Sequence, residues 1–152
     1  MQKSKFNSLI NEGFNHIPLS KEVVIDTATP LALYLKLANN PYSYFLESVQ
    51  GGEKWGRYSF IGLAAETVIK VYNYEVQVEK NGKLIHEKLV EDPLAWIEEY
   101  QNQFKVPQLD SLPDFNGGLV GYFGYEIVRY IEPKLAHINK TDELNVPDIL
   151  LM

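Results

Sequence analysis

Residues 42–62 constrain the fold more than any other stretch. Tyr42-Ser43-Tyr44-Phe45-Leu46-Glu47-Ser48-Val49-Gln50 is a mostly aromatic and aliphatic run. Gly51-Gly52-Glu53-Lys54-Trp55-Gly56 follows as a glycine-rich loop, and Arg57-Tyr58-Ser59-Phe60-Ile61-Gly62 returns as a second run. The pattern predicts strand, loop, strand, with the first strand covered on both faces. Successive strand side chains point to opposite faces, so Glu47 goes with Phe45 and Val49, and Ser48 with Leu46 and Tyr44. Buried polar groups there need partners, the carboxylate most of all. Two readings of Glu47 stand at this point. It reaches water, Lys54 or Arg57 near the strand end, or it is held dry with Ser48 to grip a cationic, hydrogen-bonding ligand.

The rest of the chain supplies local signals. Phe6, Leu9 and Ile10 have helical spacing, with Gly13 as a stop. Val23-Val24-Ile25 predicts a short strand. Thr29-Pro30 and Asp92-Pro93 both combine a capping side chain with proline at the first helical position. The first of these helices carries an apolar stripe of Leu31, Tyr34, Leu35 and Ala38, and the second one of Leu94, Ile97, Tyr100 and Phe104. Thr67 to Tyr74 predicts a strand, with Thr67, Ile69 and Val71 on one face and Val68, Lys70 and Tyr72 on a more polar one. Val76 and Val78 continue it, and Asn81-Gly82 signals a hairpin into Lys83 to Leu89. Pro107 to Asn116 reads as a loop. Gly117 to Gly124 predicts a glycine-spaced strand leading into a helix near Tyr125 to Ile131. Val146 to Met152 looks like the start of a strand, as in a piece of a longer protein.

A chain of 152 residues predicts about one domain. The sum is an α+β fold, mostly antiparallel β-sheets packed as a sandwich with three or four outer helices. A net charge of −6 argues against a nucleic-acid or anionic-membrane partner. No apolar run is long enough for a membrane span, and the amino terminus carries no secretory pattern, which predicts a cytoplasmic protein. The absence of cysteine excludes disulfides and thiol catalysis.

No catalytic constellation is visible. Gly118, Gly121 and Gly124 match neither dinucleotide-binding nor phosphate-loop spacing. The alternative is that such glycines let another backbone pack closely on a strand. His16, His86 and His137 are too scattered for a metal motif. Carboxylate pairs such as Glu98-Glu99 fall on solvated helix positions.

Two segments carry a family resemblance. Phe45 to Gly62 resembles the "LLES…GGERWGRYSFIG" signature in the N-terminal region of anthranilate synthase component I. Gly117-Gly118-Leu119-Val120-Gly121-Tyr122-Phe123-Gly124-Tyr125-Glu126-Ile127-Val128-Arg129-Tyr130-Ile131-Glu132 resembles a second signature of that region. The likeness covers the whole chain but not the chorismate-binding catalytic domain, which this chain lacks. It implies a parent lyase of tryptophan biosynthesis that makes anthranilate from chorismate. That parent uses Mg²⁺, held by the catalytic domain, and ammonia from a glutamine amidotransferase subunit. It also implies an allosteric L-tryptophan site at Glu47 and Ser48, with Arg57 and Tyr58 from the second run, completed by the catalytic domain of the same chain. No catalytic or metal residue is carried over. Such a ligand suits the residues, since an ammonium wants a carboxylate and an acceptor oxygen. Two alternatives are the N-terminal domain of the related aminodeoxychorismate synthase component I of the folate pathway and a free-standing small-molecule binding module.

Overall fold

The computed structural model describes residues 1–47, 58–110, 112, 115–135 and 144–152. Among them are four α-helices and two antiparallel sheets, of two and five strands. In chain order these are α1 (Lys3–Asn11), α2 (Pro30–Leu37), β1 (Tyr44–Glu47), β2 (Ser59–Gly62), β3 (Thr67–Tyr72), β4 (Glu75–Lys80) and β5 (Lys83–Leu89). Then come α3 (Pro93–Asn102), β6 (Gly121–Phe123), α4 (Val128–Ile131) and β7 (Ile149–Leu151). A 3₁₀ turn, Tyr125–Ile127, leads into α4, and another, Pro133–Leu135, follows it. This is the expected α+β architecture.

The strongest local signals act as read. Thr29 Oγ1 accepts from Ala32 N at 3.2 Å. Asp92 Oδ1 accepts from Leu94 N and Ala95 N at 2.9 and 3.0 Å. Each cap satisfies donors that the first helical turn cannot satisfy itself. Asn81 and Gly82 both take positive φ, 50° and 72°, as a hairpin turn between right-twisted strands requires.

The larger sheet runs β5-β4-β3-β7-β6, so the last strand in sequence lies between β3 and β6. Its register places Ile69 and Val71 opposite Val78 and Val76 on one side, and opposite Leu151 and Ile149 on the other. These six side chains and Ile97 of α3 form the buried core. Each contributes about 1.5–3 kcal/mol of burial, which makes this face the main source of stability. The second face is more polar, as alternation demands. Lys70 Nζ meets Glu79 Oε1 there at 2.6 Å, and the Tyr42 ring lies 5.3 Å from the same ammonium. Tyr42 lies two residues before β1, so the chain enters the β1–β2 ribbon from beside this second face. On the edge strand β5, Ile85 is an extra residue between the pairs Val78–His86 and Glu79–Leu84. A bulge with flanking lysines keeps an exposed edge from pairing with other chains.

Three expectations need correction. Val23-Val24-Ile25 forms no strand, and Val24 is 89% exposed. β-branched residues favour a strand only where a partner strand exists, and none pairs with them among the described residues. The α2 stripe is covered only at its end: Ala38 is fully buried and Tyr34 partly so, while Leu31 and Leu35 are exposed. The glycine-spaced strand is confined to Gly121–Phe123, because Gly117 and Gly118 take φ of 143° and 137° and leave the strand conformation.

Candidate functional site

The β1–β2 ribbon positions the residues singled out in the first signature. Its register pairs Phe45 with Ile61, Leu46 with Phe60 and Glu47 with Ser59. Glu47 therefore ends β1 on the face that carries Phe45 and Ile61. That face meets α2, where the Tyr34 ring stacks on Phe45 at 5.6 Å. Glu47 is exposed, not held dry, so the reading of β1 as a strand covered on both faces does not hold at this end. Ser59 Oγ donates to Glu47 Oε1 at 3.3 Å. No lysine, arginine or histidine among the described residues lies within ion-pair distance of this carboxylate. Tyr58 sits at the same end of the ribbon. It stacks on Phe60 at 6.0 Å, and Phe60 meets the edge of Phe115 at 4.8 Å. Alternation puts these rings on the opposite face from Glu47. Ser48 and Arg57 lie outside the described residues.

The second signature has a structural use for its glycines. Gly121 packs on β7 so closely that a Cβ there would lie 1.8 Å from the Leu150 carbonyl oxygen. At Gly124 the same atom would lie 3.0 Å from the Asp148 carbonyl oxygen. Close backbone approach, not phosphate binding, accounts for both positions. The end of the signature forms a latch on β7. Asp148 Oδ2 accepts from Asn73 N at 2.6 Å, Arg129 Nη2 at 2.5 Å and the Tyr130 hydroxyl at 2.8 Å. The Tyr130 hydroxyl also lies against the Asn73 carbonyl oxygen, and Tyr122 donates to the Pro147 carbonyl at 3.0 Å. Asn73 turns the chain between β3 and β4 with φ of 55°, so the latch ties that turn, α4 and β7 together. Sequence reasoning missed Asp148 and Arg129 as a pair; a lone acid before an apolar run was the sole signal.

Burial pushes the Tyr130 hydroxyl well above the ordinary tyrosine range, and its bond to Asp148 adds to this while Arg129 opposes it. A raised folded pKa means that the folded state keeps a proton the unfolded state releases. Its stabilisation is present below the ordinary tyrosine value of about 10 and is lost as pH climbs above it. Urea midpoints should therefore fall more steeply from about pH 9.5 to 11 in the wild type than in Tyr130→Phe. Burial also raises Tyr122, so the variant should keep part of the fall. Equal slopes in the two proteins would contradict the latch as described.

Three clefts lie away from the ribbon tip. One of about 490 Å³ is lined by His16, Phe104 and the Gly117-Gly118 backbone. One of about 380 Å³ lies between β5 and α3, and one of about 470 Å³ beside the latch. Two of the histidines belong to aromatic packing. His16 meets Phe104 edge-on at 4.7 Å, and His86 stacks on Trp96 at 6.0 Å. His137 lies outside the described residues. No group of three or more metal-ligating side chains occurs among the described residues, and no helix among them is long and apolar enough to cross a membrane.

No protein-family model matches the chain. Curated relatives match it throughout. The chain is 53% identical over 152 residues to anthranilate synthase component 1 of Pseudomonas putida, covering 100% of this chain and 31% of the relative. It is 48% identical over 155 residues to the protein of that name from Neisseria meningitidis serogroup B, with 100% and 31% covered. It is 38% identical over 144 residues to that of Aquifex aeolicus, with 94% and 28% covered. The chain thus spans about a third of the length of the relatives it matches, 31% in the first two. From end to end, it is the counterpart of the N-terminal region of anthranilate synthase component 1.

Proposed function

We propose that this chain is the regulatory portion of a cytoplasmic lyase that makes anthranilate from chorismate in tryptophan biosynthesis. Catalysis and Mg²⁺ belong to a chorismate-binding domain outside this segment. The ammonia comes from a glutamine amidotransferase subunit, component II. L-Tryptophan binds at the open end of the β1–β2 ribbon, with Glu47 facing the ammonium and Ser48 accepting from it. Arg57 supplies a further contact from the second run, and Tyr58, turned to the other face, reaches the ligand only around the end of the ribbon. Phe45, Ile61 and Tyr34 line the face beside Glu47 and suit an indole.

The observation that supports this most is the state of Glu47. Its carboxylate is exposed at a strand end, with the neutral Ser59 hydroxyl as its described partner. An accessible carboxylate is what an ammonium ligand needs. Regulation follows if the ligand bridges this ribbon and the catalytic domain, because binding then favours one relative arrangement of the two.

The test is the initial rate of anthranilate formation by the natural full-length polypeptide with its amidotransferase, at rising L-tryptophan. Saturable inhibition by tryptophan, absent with phenylalanine at equal concentration, is expected. A rate indifferent to tryptophan would overturn the regulatory reading.

A further inference from the structure

We propose that Ser59 is a positioning residue of this ligand site: it fixes one oxygen of the Glu47 carboxylate and leaves the other for the ligand's ammonium. The proposal rests on the tryptophan reading above and deepens it. Ser59 lies directly opposite Glu47 in the ribbon register, and its hydroxyl donates to Oε1 at 3.3 Å. Directly opposed strand residues hold their Cβ atoms about 4.5–5.5 Å apart, so this contact is built into the backbone before any ligand arrives. Glu47 Oε2 makes no hydrogen bond among the described residues.

The choice of serine fits the task. Glutamate has a long, rotamer-rich side chain, and a ligand that must immobilise it loses affinity by doing so. A donor already on Oε1 removes part of that loss. The donor is neutral, so it orients the carboxylate without cancelling its charge; a lysine or arginine in its place would compete with the ligand. The bond is long and exposed in the free protein, where water competes with it. Covering the site with an indole excludes that water, and the bond strengthens when the ammonium binds. Ser59 thus acts through Glu47 and need not touch the ligand.

The test compares wild type, Ser59→Ala and Ser59→Thr in the natural full-length polypeptide. The readouts are inhibition by L-tryptophan, by tryptamine and by indole-3-propionate, the last of which has no ammonium. Ser59→Ala should weaken tryptophan and tryptamine by about 3- to 10-fold, the scale of one immobilised side chain, and leave indole-3-propionate unchanged. Ser59→Thr keeps the hydroxyl and should restore most of the loss. Side-chain couplings of Glu47 by NMR in the ligand-free protein should show a narrower rotamer distribution in wild type than in Ser59→Ala. Unchanged tryptophan inhibition in Ser59→Ala, beside a tryptophan-sensitive wild type, would overturn this proposal alone. Equal losses for all three ligands would mark Ser59 as merely structural and overturn it too. A wild type insensitive to tryptophan would overturn the ligand reading and this proposal with it.

Discussion

Asp148→Ala should lower the unfolding free energy of this chain by about 2–4 kcal/mol, between the cost of breaking a surface pair and that of breaking a buried one. Asp148 and Arg129 are each only 13% exposed at the side chain. Burial opposes the charge on Arg129, and contacts with Tyr130 and Asp148 outweigh it and hold the guanidinium pKa above its ordinary value. Arg129 Nε is already buried without a hydrogen-bond partner among the described residues, so the group has little to fall back on. The alanine variant would also strip the Asn73 N–H and the Tyr130 hydroxyl of their shared acceptor. The strand most affected is β7, which carries Ile149 and Leu151 into the core between β3 and β6. Urea unfolding followed by circular dichroism reads this directly. Asp148→Asn keeps the shape and an acceptor and should lose less. A loss under about 1 kcal/mol for the alanine variant would place the latch among weak surface pairs.

Gly121→Ala should rank next, with a loss above about 2 kcal/mol, because overpacking against a backbone cannot be relieved by turning a side chain. The added carbon would meet the Leu150 carbonyl oxygen at 1.8 Å, inside any permitted contact. β6 and β7 would have to separate, and the pairs Gly121–Leu151, Tyr122–Leu150 and Phe123–Ile149 would be strained together. Gly124→Ala is the graded comparison. Its added carbon would lie 3.0 Å from the nearest oxygen, so a smaller loss is expected. The same urea measurement applies to both. Equal and small losses would show that close packing of β6 on β7 is not what these glycines provide.

What could be read in advance follows the range of the forces involved. Thr29-Pro30, Asp92-Pro93 and Asn81-Gly82 act within a few residues, and each sits where its local chemistry put it. The two faces of β3 were legible because strand alternation is also local. Val23-Val24-Ile25 failed because a strand exists only through a partner elsewhere, which propensity cannot report. Long-range polar pairing was hidden for the same reason. Asn15 Oδ1 accepts from Lys105 N at 2.7 Å across 90 residues, and nothing near Asn15 signals it. At the candidate site alternation gave the face of Glu47, but the register that sets Ser59 opposite it depends on the turn and was hidden. Glu47 and Tyr58 share one end of the ribbon, but the pleat turns them to opposite sides.

The role of Glu47 is read most directly by a calorimetric titration of L-tryptophan into the natural full-length polypeptide, wild type beside Glu47→Gln. Glutamine keeps the length of the side chain and a hydrogen-bonding oxygen but removes the charge. Saturable heat is expected in the wild type and binding about 10- to 100-fold weaker in the variant, the value of a hydrogen bond to a charged group. Unchanged circular dichroism would show that the variant remains folded. Equal affinity in the two proteins would rule out Glu47 as the ammonium contact, and no saturable heat in the wild type would rule out the tryptophan site.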